Sequence, residues 1–151
     1  MSTTFLLKRL GFAAKEQALE AYEQAGLHPY HHAVLAVLDE GSRETQGAIA
    51  DSLGYDRGQL VGLLDELEER GLVERQRDPA DRRRQSVRIT QDGKRALAKL
   101  RALALQLEDD FLGRLDKDRR ALLRELLREL ASEHIPHCAF QQQSAAVAAD
   151  G

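Results

Sequence analysis

The sequence predicts a mainly α-helical fold carrying a small β wing of two to three strands. Three observations predict it. Leu and Ala dominate the apolar residues while aromatics make up only 5% of the chain, a balance that suits helices. Apolar residues recur at helical spacing in six segments. Between the fourth and fifth segments the pattern shifts to that of short strands.

Residues 4–25 form the first predicted helix, with Leu6, Leu10, Ala13, Ala14 and Ala21 near helical spacing and Gly26 as its stop. Pro29 opens the second, whose stripe is Tyr30, Val34, Leu35 and Leu38 and which Gly41 ends. Thr45 caps a short third helix bearing Ile49, Ala50 and Leu53, closed by Gly54. Asp56 caps a fourth, running to about Arg70, in which Leu60, Leu63, Leu64 and Leu67 fall at i, i+3, i+4 and i+7. Strands are expected at 72–75 and 86–90, joined by an exposed loop rich in Asp, Pro and Arg. A long helix then starts at Thr90 with Leu97, Leu100, Leu103, Ala104, Leu107 and Phe111 on one face, and Gly113 breaks it. Leu122, Leu123, Leu126, Leu127 and Leu130 mark a last helix ending near Ser132. Residues 134–151 lack this pattern and are expected to be a loose tail.

At 151 residues the chain is expected to be a single domain. Its net charge of −3 excludes a molecule that is basic throughout, so any nucleic-acid surface must be a local patch. The lone Cys138 permits no internal disulfide. Lys8 and Arg9 interrupt the first apolar run, and no stretch approaches a spanning helix. A soluble, cytoplasmic protein without membrane contact is therefore expected. The sequence has no Gly-rich phosphate loop, no nucleophile elbow and no carboxylate pair with an evident cleft. No catalytic residue and no cofactor is expected; Asp109-Asp110 reads as a solvated pair.

Two short helices separated by Gly54-Tyr55 have helix-turn-helix spacing, and an arginine-tipped hairpin follows directly. Together they make a winged helix-turn-helix, expected over 30–90. From Glu74 to Thr90 six arginines face three acids, a local charge of +3. A solvated basic hairpin would look the same in isolation. Its place after a helix-turn-helix points instead to duplex DNA, whose major groove admits an α-helix and whose phosphates attract arginine.

The stretches TQGAIADSLGYDRGQLVGLLDELE (45–68) and LDELEERGLVERQRDPADRRRQSVRITQDG (64–93) resemble the third helix, fourth helix and wing of the multiple antibiotic resistance regulators, the MarR family. The resemblance follows element order over about residues 5–131 and is sharp over 45–93. It implies a homodimer, with N- and C-terminal helices (4–26 and 91–132) forming a helical dimerisation region. It also implies a palindromic operator and repression relieved by a small-molecule effector, an aromatic or phenolic ligand, or by an oxidant. The Leu stripes at 97–111 and 122–130 suit such a dimer, although packing within one chain explains them too.

By position, the resemblance assigns Thr45 and Gln46 to a phosphate contact at the third helix. Arg57, Gly58, Gln59, Val61 and Gly62 form the front of the fourth, and Arg82, Arg83 and Arg84 belong to the wing. Gln59 has the bidentate amide that fits adenine, and Arg57 suits guanine or phosphate. Asp81 is expected to hold an arginine in place. The chain departs from the family, which usually carries Ser or Thr near 58, 59 and 61 and often Arg at 62. Gly58 and Gly62 each cost about 1 kcal/mol of helix propensity, and the helix over 56–70 sums to −3. Either glycine lets the backbone approach the groove closely, or base readout is weak and the wing carries the affinity. The acidity also motivates a rival: a winged-helix protein-interaction module with weak DNA binding.

Family ligand pockets lie between the dimer helices and the reading head, which suggests Arg9, Phe12, Tyr30 and His31 here, with Arg9 pairing an aromatic carboxylate. A solvated Arg and core aromatics are the plainer alternative. His28, His31 and His32, with His134, His137 and Cys138, have spacings that suit a metal- or thiol-responsive regulator. Surface and capping histidines and a spare tail thiol are the expected reading, so no metal site is assigned.

Overall fold

The computed structural model describes residues 1–41 and 44–135. In chain order they form α1 (Thr3–Gln24), α2 (Pro29–Glu40), β1 (Glu44–Thr45), α3 (Gln46–Leu53), α4 (Arg57–Glu69), β2 (Val73–Arg77), β3 (Gln85–Ile89), α5 (Gln91–Phe111) and α6 (Lys117–His134). The helices begin where a side chain satisfies free N–H groups. Ser2, Thr45, Asp56, Thr90 and Asp116 each accept from the backbone three residues on. The second helix uses histidine instead: His28 Nδ1 accepts the Tyr30 N–H at 3.1 Å, and His31 Nδ1 accepts the His28 N–H at 3.0 Å.

A single core gathers Val34, Leu35, Val37 and Leu38 of α2 with Ile49 of α3, the α4 leucines, Val73, Val87, Leu97 and Leu100. All four leucines of the α4 stripe are buried, as their spacing predicts. The strands pair antiparallel in the order β1-β3-β2. The hairpin ladder continues out to Arg77 opposite Gln85, beyond the apolar alternation, because backbone hydrogen bonds extend it where side chains no longer signal it. The two-residue β1 is too short to show any period and escapes sequence reading.

The α4–β2 turn is locked to the start of α5. The Thr90 hydroxyl donates to the Gly71 carbonyl at 2.7 Å and accepts the Gly93 N–H at 3.0 Å. A Cβ on Gly93 would stand 2.0 Å from the Leu72 carbonyl oxygen, so only glycine fits there.

One expectation at the end of the chain needs correction. The last helix starts at Lys117, several residues before its first leucine, because Asp116 caps it and Arg120 and Arg124 pair with Asp109 and Glu108 of α5 at 2.6 and 2.5 Å. It also runs past Ser132 to His134, so His134 belongs to its last turn rather than to a tail. His137, Cys138 and the remaining tail lie outside the described residues.

The two Leu stripes of the C-terminal half differ. Leu97 and Leu100 of α5 are buried, and Leu103 and Leu107 pack against the core. None of α6 is buried, and Leu122, Leu126, Leu127 and Leu130 are 42–55% exposed. On α1, Phe5, Leu6, Leu7, Leu10 and Phe12 are likewise exposed. No described helix is long and apolar enough to cross a membrane.

Candidate nucleic-acid interface

The turn between α3 and α4 is set by Gly54, which closes α3 in the left-handed region at φ 66°. Asp56 then opens α4, its carboxylate accepting the Gln59 N–H at 3.2 Å. A Cβ on Gly58 would press within 3.1 Å of that carboxylate, so this glycine makes room for the cap. Gly62 is different: nothing lies within 4 Å of where its Cβ would be. With Leu60, Leu63, Leu64 and Leu67 turned inward, Arg57, Gly58, Gln59, Val61 and Gly62 form one exposed front.

Arg57 reaches sideways. Its guanidinium lies 3.9 Å from the Cβ position of Gly47, over the first turn of α3. Thr45 is exposed and its hydroxyl caps α3 by accepting the Ala48 N–H at 3.1 Å. Gln46 is half-buried, and its Oε1 is buried without a hydrogen-bond partner among the described residues. It therefore sits behind the open front rather than on it.

The wing's arginines divide into two groups. At its base, Arg75 binds Glu68 and Asp65 of α4, each at 2.5 Å, and Arg88 pairs with Glu74 at 2.5 Å. Those contacts hold the Glu68 carboxyl below its ordinary pKa, chiefly through the Arg75 hydrogen bond. At its tip, Arg82, Arg83 and Arg84 are exposed. Asp81 shapes this turn: its carboxylate accepts the Arg83 N–H at 3.0 Å and stands 3.8 Å from the Arg84 guanidinium, a loose ion pair. The guanidiniums of Arg77, Arg82 and Arg83 have no partner among the described residues. Sequence reading counted Arg77 only in the local charge; its strand neighbour Arg75, drawn to the acids of α4, shows which wing arginines are left over.

The same contacts account for the acidity of α4. Asp56 caps, Asp65 and Glu68 pair with Arg75, and Glu66 accepts from His31 at 2.6 Å. Four of the five acids over 56–70 thus have a partner within the chain, and Arg75 offsets part of their charge.

A family model for the MarR family matches residues 25–84. A MarR-family transcriptional regulator from Rhodococcus sp. RHA1 has the same fold at a TM-score of 0.73 and 31% identity, over 85% of this chain and 91% of that one. The chain belongs to the MarR family. The transcriptional regulator HosA of Escherichia coli O111:H- is 32% identical over 102 residues, 68% of this chain and 75% of HosA. The transcriptional repressor CouR, solved bound to a 23-mer DNA duplex, matches at a TM-score of 0.76 and 34% identity, over 86% of this chain and 92% of that one. This MarR-type chain is thus a DNA-binding transcription regulator, and the proteins it matches are regulators rather than enzymes.

The ligand candidates of this MarR-type chain fall in two separate places. Arg9 and Phe12 are exposed on α1. Tyr30 and His31 open α2, where Tyr30 meets Tyr55 edge-on at 5.3 Å and His31 is buried. A cavity of about 510 Å³ lies between the α1–α2 corner and α5, lined by Ala25, Leu27, Ala96, Leu100 and Leu103 with Asp92, Arg95 and Lys99. None of the four candidates lines it. The histidines are engaged elsewhere: His28 and His31 cap α2, and His32 Nδ1 bonds the Tyr22 hydroxyl at 2.5 Å. Among the described residues no three His, Cys, Asp or Glu side chains are grouped to hold a metal.

Proposed function

We propose that the chain acts as a homodimer that binds a palindromic operator and represses transcription until an aromatic or phenolic acid releases it. The observation that carries this reading is the division of charge in the head. Base arginines are neutralised internally, while the tip arginines and Arg57 stay available beside the open front of α4. In this reading Gln59 reads a base, Gly58, Val61 and Gly62 let the helix approach closely, and Arg57 meets base or phosphate. Thr45 faces phosphate at the start of α3, with Gln46 set behind it, and Arg82, Arg83 and Arg84 follow the backbone or the minor groove.

The exposed apolar stripes of α1 and α6 supply the dimer surface, since a patch of that extent is rarely left to water. Repression is the role named for CouR. For the effector, the α1–α2–α5 cavity offers an apolar body with Lys99 at its rim beside the Arg95–Asp92 ion pair, and Lys99 is the cation an aromatic carboxylate would meet. Arg9 and Phe12 join Tyr30 and His31 in a ligand site only if the partner subunit's α1 approaches α2.

The test is selection of a duplex from a random pool, followed by binding across a salt series and by sedimentation. A dimer that enriches an inverted repeat and loses affinity steeply with salt is expected. A monomer, or binding that is independent of sequence and nearly insensitive to salt, overturns the reading.

A further inference from the structure

The recognition helix is held from both flanks behind its exposed end. On one flank Arg75 of β2 takes Asp65 and Glu68. On the other, His31 Nε2–H donates to Glu66 Oε2 at 2.6 Å, and the Arg70 guanidinium donates to the Gly26 carbonyl. Turning about 100° per residue, α4 carries Asp65 and Glu68 on one side of its buried stripe and Glu66 and Arg70 on the other.

The second grip is preset. His31 is only 5% exposed, and its Nδ1 already accepts the His28 N–H. In the neutral ring the proton must then sit on Nε2, aimed at Glu66. Rotating the ring away would uncap α2. Gly26 lies in the tight α1–α2 corner at φ 75°, where the Leu27 N–H returns to the Tyr22 carbonyl at 3.0 Å. Both anchors therefore belong to one rigid corner.

We propose that Glu66 and Arg70 are positioning residues that fix the tilt of α4 against the α1–α2 corner, and so set its base discrimination without touching DNA. This rests on the reading in which α4 enters the groove. Gln59 lies about 10 Å along the helix from Glu66. A tilt of about 10° about the anchor would move it by almost 2 Å, enough to break a hydrogen bond to a base.

The test uses the full chain, a duplex that the wild type selects from a random pool, and a scrambled duplex. Fluorescence anisotropy is read over a salt series, with circular dichroism confirming that each variant is folded. Glu66→Ala and Arg70→Ala are each expected to weaken binding to the selected duplex about threefold to tenfold. Affinity for the scrambled duplex and the salt slope of Glu66→Ala should stay unchanged. Glu66→Gln, whose amide oxygen accepts the same bond, should recover most of the loss. Arg83→Ala, by contrast, should weaken both duplexes together. Wild-type discrimination in Glu66→Ala and Arg70→Ala overturns the clamp alone. So does tighter binding of Glu66→Ala to both duplexes, the mark of simple charge removal, or a Gln variant as poor as the Ala variant. A wild type that selects no duplex, or an Arg83→Ala variant that loses nothing, overturns the underlying reading and this proposal with it.

Discussion

Two helices of this chain carry leucines at the same i, i+3, i+4, i+7 spacing and meet opposite fates. In α4, Leu60, Leu63, Leu64 and Leu67 are all buried among α2, α3 and β2. In α6, Leu126, Leu127 and Leu130 stay exposed, Leu123 is half-covered, and the helix is tied to α5 by arginine–carboxylate pairs. Periodicity therefore decides that a helix forms and which face is apolar, but not what covers the face. The reading head is complete within one chain. The outer helices α1 and α6 keep apolar side chains exposed, and on the proposed reading a second copy covers them.

Charges placed on the uncovered face of α6 should have the strongest consequence. Leu126→Asp with Leu130→Asp puts two charges on the uncovered face. Sedimentation should then show a monomer, and affinity for a palindromic duplex should fall by about 100-fold or more as one head loses its tether to the other. Far-ultraviolet dichroism should remain helical, because neither side chain supports the core. Leu64→Asp, at the matching place in α4, should instead unfold the chain. A double variant that still sediments as a dimer removes α6 from the interface.

Next in size is a contrast between two glycines of the head. At Gly93 a Cβ meets the Leu72 carbonyl and the Ile89 side chain, so backbone must move. Gly93→Ala should cost about 3 kcal/mol and lower Tm by roughly 10 °C. Gly62 faces open space, so Gly62→Ala should stabilise α4 by about 1 kcal/mol while obstructing a close approach to DNA. Equal Tm values for the two variants would contradict the packing described at the α4–α5 junction.

Within the wing, base and tip arginines should respond differently to truncation. Arg83→Ala and Arg84→Ala should each reduce the salt slope of DNA binding by about 1 and barely change Tm. Arg75→Ala should do the reverse, lowering Tm through about 1–2 kcal/mol of lost hydrogen bonding to Glu68 and Asp65. A salt slope altered by Arg75→Ala but untouched at the tip would reassign the phosphate contacts.

Much of the head was legible because its signals are local. Thr45, Asp56 and Thr90 cap the helices they precede, Gly54 closes α3, and the α4 leucines find the core. The fold class followed from those pieces. What escaped is set by partners distant in sequence or by backbone alone. The strand β1 exists only as a two-residue pairing with β3. The first turn of α6 is polar and shows itself only through a cap and ion pairs. The His31–Glu66 bond joins positions 35 residues apart, and no spacing rule reaches that far. Counting charge along the hairpin placed six arginines in one patch, whereas the fold sends Arg75 to the side of α4 and Arg88 to Glu74.

The smallest effect tests the corner that joins the two regions. Burial lowers the pKa of both His31 and His32 below the ordinary 6.5, and Arg101 adds to the lowering at His32. The Glu66 bond opposes the shift at His31 without reversing it. Between the folded and unfolded values the unfolded chain binds more protons, so stability rises with pH there. This contribution is complete above pH 6.5 and is lost as pH falls through the folded values below it. Physically, a proton on His31 Nδ1 would face the His28 N–H and uncap α2, and a charged His32 would be desolvated beside Arg101. Urea midpoints measured at pH 7.5, 6.5 and 5.5 should therefore decline toward acid. His32→Gln, which keeps a hydrogen-bonding partner for Tyr22 and does not titrate, should flatten part of that slope. A midpoint that holds steady or climbs on acidification would mean the two rings are not buried neutral, and that the corner anchoring the recognition helix is built differently.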